Sequence, residues 1–95
     1  MGYQVVWSPK AIDDIDAIAA YIARDSISYA AAMVQRIIEV TQSLSDDPFT
    51  GDIVQELGDE TVREQFAYTY RILYRVQGEV VTVSAVVHGK KLLKI

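Results

Sequence analysis

The first half of the chain has apolar residues at helical spacing. Between residues 9 and 24 they recur three and four positions apart, the period of one helix face: Ala11, Ile12, Ile15, Ile18, Ala19 and Ile22. Ser8 is a suitable cap and Pro9 a suitable first helical residue. We therefore expect a helix over residues 9–24. A second stripe predicts a helix over residues 28–45, and the short link makes the pair an antiparallel hairpin; this stripe contains Ala30, Met33, Val34, Ile37, Ile38, Thr41 and Leu44.

Strand-like patterns lie on either side of this helical region. Residues 3–7 are rich in β-branched and aromatic residues and predict a short first strand. A turn-rich segment follows the second helix, and three further strands are expected at residues 62–67, 68–76 and 79–88, with Gln77 and Gly78 as a two-residue turn. The pattern predicts an α+β fold in one domain over residues 1–95. Its N-terminal strand and antiparallel helical hairpin would pack on a twisted antiparallel β-sheet.

Strand alternation predicts two different faces for this sheet. One face would carry the aromatic and aliphatic residues of the fourth strand and cover the helices. Arg71, Leu73 and Arg75 would then face solvent or a partner. In the last strand one unbroken apolar face is expected, made of Val81, Val83, Ala85 and Val87. An amphipathic acidic segment of another protein would suit the basic face. The alternative is that the tail, residues 92–95, folds back over part of it.

Composition narrows the possible chemistry. The chain has 95 residues, of which 51% are hydrophobic and 23% charged, with no cysteine and one histidine. These counts exclude disulfides and thiolate catalysis and argue against a zinc site within one chain. No apolar run is long enough for a membrane span, and the N-terminus lacks a signal-peptide pattern. We therefore expect a cytoplasmic protein with no cofactor, no metal and no membrane partner.

Charge is unevenly distributed along the chain. Residues 1–62 carry three basic and eleven acidic side chains, whereas residues 63–95 carry six basic and two acidic ones. This asymmetry predicts an acidic side and a basic side, although ordinary solvated surface charge would look similar. Asp13, Asp14 and Asp16 do not converge as metal ligands on a helix, so we interpret them as a solvated helix start.

Several short motifs together resemble a known family. They are Trp7-Ser8-Pro9-Lys10-Ala11, Tyr21-Ile22-Ala23, Glu56-Leu57, Arg63-Glu64, Tyr70-Arg71-Ile72-Leu73-Tyr74 and Val87-His88-Gly89. In this order and spacing they resemble the RelE/ParE toxins of type II toxin–antitoxin systems, also called plasmid stabilisation proteins, over nearly the whole chain. The resemblance implies a helical hairpin on a twisted antiparallel sheet and a cognate antitoxin that wraps the toxin. RelE-like members cut messenger RNA in the ribosome, whereas ParE-like members act on DNA gyrase.

The resemblance also suggests site residues for each branch. In the RNA-cutting branch, the arginine at the position of Arg71 helps catalysis, and His88 lies near the strand end that often adds a second group. Histidine is the one residue type here that normally exchanges protons near neutral pH. Asp52 stands where many relatives have a basic residue, and no tyrosine follows Tyr74. These departures, with a pI of about 4.7, favour the ParE-like branch.

The sequence therefore predicts a growth-inhibiting toxin that is neutralised by an antitoxin and that inhibits DNA gyrase by binding. The alternatives are a ribosome-dependent mRNA endonuclease using Arg71 and His88, or a non-toxic remnant that only binds antitoxin. Whether the chain is an enzyme thus stays open, as does the choice between a homodimer and a toxin–antitoxin hetero-oligomer. The predicted partner-binding residues are Arg63, Arg71, Leu73, Arg75, Lys90 and Lys91.

Overall fold

The computed structural model describes residues 2–91. The tail, residues 92–95, whose folding over the sheet was the alternative to a bound partner, lies outside this range. The elements in chain order are β1 (Gln4–Trp7), α1 (Pro9–Ala23), α2 (Ile27–Ser43), a short 3₁₀ helix (Pro48–Thr50), β2 (Asp52–Ile53), β3 (Val62–Ala67), β4 (Tyr70–Gln77) and β5 (Val80–His88). No helix of the described range is long and apolar enough to cross a membrane.

The sheet has five strands in the order β1-β5-β4-β3-β2. β3, β4 and β5 form the predicted antiparallel meander, and β2 adds two residues beyond β3. β1 lies parallel to β5, with Gln4 opposite Val80. The predicted α+β fold is confirmed, but the sheet is mixed because its first and last strands run in the same direction.

The two helices begin at serine caps, of which Ser8 was predicted and Ser26 was not. The Ser8 hydroxyl accepts a hydrogen bond from the Ala11 N–H, and the Ser26 hydroxyl accepts one from the Tyr29 N–H. Each cap satisfies a backbone donor that the first helical turn leaves unpaired. The hairpin then packs on one face of the sheet around a buried core, whose larger members include Ile18, Ile22, Met33, Ile37, Ile72 and Val83.

An irregularity in β5 changes which side chains share a face. Leu73 pairs with Ala85 and Tyr74 pairs with Val83, so Ser84 is an extra residue in the ladder. A bulge of this kind shifts the alternation by one residue. The residues before it, including Val83, contact the helix side, whereas Ala85 and Val87 belong to a cluster on the opposite face. The prediction of one unbroken apolar face in β5 was therefore wrong.

The face of the sheet away from the helices is partly covered by the segment between β2 and β3. Val54 and Leu57 of this segment pack on Leu73, Ala85 and Val87 and make a second small core. Leu73 and Arg71 are consequently buried, at 5% and 4% exposure. The expectation that these two residues lie on an open face was wrong, because local alternation gave no sign of a covering loop.

Asp14 ties α1 to the part of β5 that β1 does not reach. β1 ends at Trp7, opposite Val83. Beyond that point the Asp14 carboxylate accepts a hydrogen bond from the Val86 N–H at 2.9 Å, and the Ser8 hydroxyl donates to the Ser84 carbonyl at 3.1 Å. Asp14 is thus more than part of a solvated helix start, since it replaces a missing strand partner.

Two tight turns join the meander, and each contains a residue with positive φ. Gly78 has φ 58° in the β4–β5 turn, which consists of Gly78 and Glu79, one residue later than predicted. Tyr68 has φ 52° in the β3–β4 turn with Thr69. Glycine adopts this conformation at little cost, whereas a bulky side chain does so rarely. Tyrosine is therefore an unusual residue at this position of a tight turn.

Candidate functional site

Arg71 lies at the centre of a buried ionic cluster. Its Nη1 and Nη2 atoms donate to the two carboxylate oxygens of Glu56 at 2.8 and 3.0 Å, and its Nε donates to Glu64. Nη1 also lies 3.3 Å from the carbonyl oxygen of Lys91. These bonds, those to Glu56 first, raise the pKa of Arg71 above its ordinary value. The guanidinium is held by two carboxylates and is not a free cation.

His88 lies on the other face of the sheet from Arg71. His88 pairs with Tyr70 across β4 and β5, and Arg71 pairs with Val87. Directly opposed residues share a face, and successive residues alternate. The imidazole lies edge-on to Tyr70 with ring centres 5.4 Å apart, and its Nδ1 accepts the Lys90 N–H at 3.2 Å. The two residues predicted for RNA cleavage are therefore not brought together.

The other two predicted arginines also have partners within the chain. Arg63 donates to the Gly51 carbonyl at 3.0 Å, and its guanidinium lies 5.0 Å from the centre of the Phe49 ring. Arg75 forms an ion pair with Asp59 at 3.0 Å. A hydrogen bond from Thr61, more than the charge of Arg75, lowers the pKa of Asp59.

These contacts change the expected basic face. Arg71 and Arg75 are opposed by carboxylates, and Leu73 is buried. Lys90 and Lys91 remain exposed, and neither side chain forms an ion pair with a carboxylate within residues 2–91. Of the six residues predicted to bind a partner, these two lysines are the ones most available for contact in this structure. A binding role for any of the six stays a prediction.

An apolar groove that the sequence analysis missed runs beside the sheet edge. It has a volume of about 500 Å³ and is lined by residues of β1, α1 and α2: Val5, Trp7, Ile12, Ile15, Asp16, Ile38, Thr41 and Gln42. Ile12 and Ile38 are 50% and 38% exposed. The sequence held one signal of this groove. Ile37 and Ile38 are adjacent on one helix, about 100° apart, so they diverge and only Ile37 is buried at 0% exposure.

The groove adjoins an open edge of the sheet. The Gln4 N–H donates to the carbonyl oxygen of Glu79, just before β5, and the Ser8 N–H donates to that of Val83 in β5. Because alternate residues of a parallel strand bond to the same neighbour, the N–H groups of Val5 and Trp7 point to the outer edge. The groove can therefore bury apolar side chains of another protein segment, while the N–H groups of β1 hydrogen-bond to the backbone of that segment.

Comparison with known proteins identifies a family over most of the chain. The sequence profile described as "ParE toxin of type II toxin-antitoxin system, parDE" matches residues 5–93. A search of curated proteins gives no match.

Two solved bacterial structures contain chains with the same fold. The chromosomal ParDE toxin–antitoxin system of P. aeruginosa contains a similar chain, with a TM-score of 0.73 and 22% identity over 90% of this chain and 95% of that one. The toxin–antitoxin complex RelBE2 of Mycobacterium tuberculosis contains another, with a TM-score of 0.65 and 24% identity over 93% and 99%. These similarities are confined to the fold.

Proposed function

The chain belongs to the ParE toxin family of type II toxin–antitoxin systems, and from this we propose that it inhibits DNA gyrase by binding and is neutralised by a cognate antitoxin. The observation that carries the proposal is the placement of Arg71. A guanidinium enclosed by Glu56 and Glu64 is poorly placed to stabilise a phosphorane, because two carboxylates would repel the incoming phosphate.

RNA cleavage would also need an acid and a base beside that cation. Attack by a 2′-hydroxyl requires these groups within hydrogen-bond reach of the reacting atoms. His88 projects from the opposite face of the sheet from Arg71, so these two groups do not converge on one reacting phosphate. Inhibition by binding requires only a complementary surface. The acidic balance of the chain, with a pI of about 4.7, further disfavours a ligand that must settle among ribosomal phosphates.

We assign the antitoxin to the groove between β1, α1 and α2. An amphipathic helix or strand of the partner would bury apolar side chains against Trp7, Ile12 and Ile38 and hydrogen-bond to the β1 edge. Asp16 lines the same groove, so a basic residue on the partner segment would match it. This assignment differs from the sequence expectation, which had placed the partner over Arg71 and Leu73.

The target is tested by inducing the toxin in bacteria and adding the purified protein to gyrase in vitro. We expect plasmid supercoiling to fall and the SOS response to rise, with purified toxin blocking supercoiling in a dose-dependent manner. Messenger-RNA ends at stalled ribosomes are mapped in the same cells. Codon-positioned cuts with unchanged supercoiling would instead support the RelE-like endonuclease, and normal growth at verified expression would support a non-toxic remnant.

The antitoxin assignment needs variants that keep the fold. Ile38→Glu places a charge in the groove at a partly exposed position and should weaken antitoxin binding by at least tenfold, with unchanged toxicity. Tyr29→Glu is the matched control, because Tyr29 lies on the same helix at 57% exposure but does not line the groove. Equal antitoxin affinity of Ile38→Glu and the unmodified chain would contradict the assignment.

A further inference from the structure

The β3–β4 turn and the end of β5 together carry a group of exposed rings and cations. Phe66 and Tyr68 are 52% and 60% exposed, and Lys90 and Lys91 of the turn after β5 are exposed as well. We call these four residues the aromatic–basic tip. Nothing in the gyrase or antitoxin proposal uses the two rings.

The backbone of the tip is held in place. The Gly89 N–H donates to the Thr69 carbonyl at 2.7 Å, which joins the end of β5 to the β3–β4 turn. A methyl group on Gly89 would lie 3.1 Å from the Phe66 ring, so the ring lies against the glycine backbone. Lys90 and Lys91 then donate their N–H groups to the Nδ1 and carbonyl of His88. The backbone of Lys90 and Lys91 is therefore fixed in a turn that lies close to the Phe66 ring.

Tyr68 occupies a strained position without burial to offset it. The first residue of this two-residue turn has φ 52°, where glycine or asparagine is the usual choice. A tyrosine that is 60% exposed gains little from packing. Backbone strain of this kind clusters at functional sites. The exposed Tyr68 ring is therefore a candidate contact for a ligand.

Within residues 2–91 neither Lys90 nor Lys91 forms an ion pair with a carboxylate, although the whole chain is acidic. No acidic residue occurs between positions 65 and 78 or after Glu79. Glu64, the nearest acid in β3, is bound by Arg71. Two exposed rings and two exposed lysines belong to segments that the Gly89–Thr69 hydrogen bond joins. This composition suits stacked bases and phosphates better than an aliphatic protein pocket.

From this geometry we propose that the aromatic–basic tip binds single-stranded nucleic acid, with bases stacking on Tyr68 and Phe66 and phosphates meeting Lys90 and Lys91. DNA and RNA share this chemistry. The surface does not include the groove assigned to the antitoxin, and it does not depend on gyrase as the target. Its binding is sequence-tolerant, since every base offers a ring face and the tip holds few donors aimed at base edges.

Fluorescence anisotropy of the full chain with labelled dT12 and U12 tests the proposal, with a 12-base-pair duplex as the comparison. Tyr68→Asn and Phe66→Thr should each weaken single-strand binding by about tenfold, the range expected for losing one stacked base. The Lys90→Gln/Lys91→Gln variant should lower the salt dependence of the binding constant by roughly one power of the salt concentration. The dT12 and U12 arms show which sugar is preferred.

Matched controls come from α1, outside the tip. Tyr21→Asn removes another exposed tyrosine, at 66% exposure, and Lys10→Gln removes another exposed lysine; neither should change binding. Thermal unfolding verifies that each variant is folded. Absence of binding to both oligonucleotides at 50 mM salt, equal binding of the duplex, or unchanged binding of Tyr68→Asn would overturn the proposal. Loss of gyrase or antitoxin binding in Tyr68→Asn, without oligonucleotide binding, would also overturn it and make the tip a protein contact.

Discussion

Arg71 and Glu56 meet through two parallel hydrogen bonds, although they are 15 residues apart in the chain. Arg71 lies in the centre of the sheet, and Glu56 belongs to the loop that covers it. The pair therefore fastens the loop over the second small core, and Glu64 on the adjacent strand completes the cluster. A fork of this kind fixes orientation as well as distance.

Arg71→Ala should be strongly destabilising. Removing the guanidinium leaves two carboxylates facing each other beneath a loop, and breaking a buried ion pair typically costs about 3–5 kcal/mol. Urea unfolding measures the loss. Arg36→Ala is the control, because its ion pair with Glu39 is exposed and should contribute less than about 1 kcal/mol. Similar losses in the two variants would contradict a structural role for Arg71, and only then would lost toxicity in Arg71→Ala indicate a direct functional contact.

The Tyr74 hydroxyl donates to the Pro48 carbonyl at 2.6 Å in a fully buried position. Tyr74→Phe leaves that carbonyl without its donor and should lower the free energy of unfolding by about 1–2 kcal/mol at neutral pH. Chemical denaturation checks this value. Tyr21→Phe, at an exposed position, should have no measurable effect.

The same hydroxyl predicts a pH effect. Burial raises the pKa of Tyr74 above its ordinary value of 10.0. A group whose pKa is higher in the folded state contributes stability below the unfolded pKa and loses it as pH rises towards the folded one. We expect the difference in stability between the unmodified chain and Tyr74→Phe to shrink above pH 10. A constant difference from pH 8 to pH 11 would show that Tyr74 is not protected from ionisation.

Gly51 approaches Tyr74 so closely that a side chain does not fit. A Cβ at this position would overlap the Tyr74 hydroxyl and lie 2.6 Å from the Glu64 carbonyl oxygen. Gly51→Ala should therefore destabilise the fold by roughly 1–3 kcal/mol, measured by urea unfolding. Because Tyr74→Phe removes the overlapped oxygen, the double variant should be less destabilised than the sum of the single variants. If the losses of the two single variants simply add in the double variant, the contact with the Glu64 carbonyl oxygen alone accounts for the destabilisation by Gly51→Ala.

Tyr68→Asn should stabilise the chain. Asparagine tolerates positive φ, whereas the left-handed conformation costs a residue such as tyrosine roughly 1–2 kcal/mol. We expect a gain of about 0.5–1 kcal/mol and a rise in melting temperature of several degrees. Thr69→Asn is the control, since positive φ occurs at Tyr68 and not at Thr69. A lower melting temperature for Tyr68→Asn would mean that the ring supports the turn.

The helices and the meander could be predicted because their signals are local. The spacing from Ala11 to Ile22 and the cap at Ser8 specify the first helix from a few neighbouring residues, and the strand Val62–Ala67 begins and ends where it was predicted to. The bulge at Ser84 could not be predicted, because Val83-Ser84-Ala85 reads as ordinary alternation.

The candidate site was harder to predict because its key contacts are not local. Arg71 in an alternating strand indicates an exposed cation, and only the fold shows that Glu56 from a distant loop covers it. The groove beside β1 likewise arises from three elements that meet only in the folded chain. Family resemblance supplied the antitoxin as a partner but did not reveal where the open surface lies.

The parallel pairing of β1 with β5 joins residues that are far apart in sequence. Ser8 and Ser84, which share a hydrogen bond, are 76 positions apart. Closing so long a loop is a slow step, and it must follow the local contacts of the helical hairpin and the meander. β1 is synthesised well before β5, so its pairing has to wait until β5 is complete. Until then Val5 and Trp7, which line the groove, are not held by the sheet.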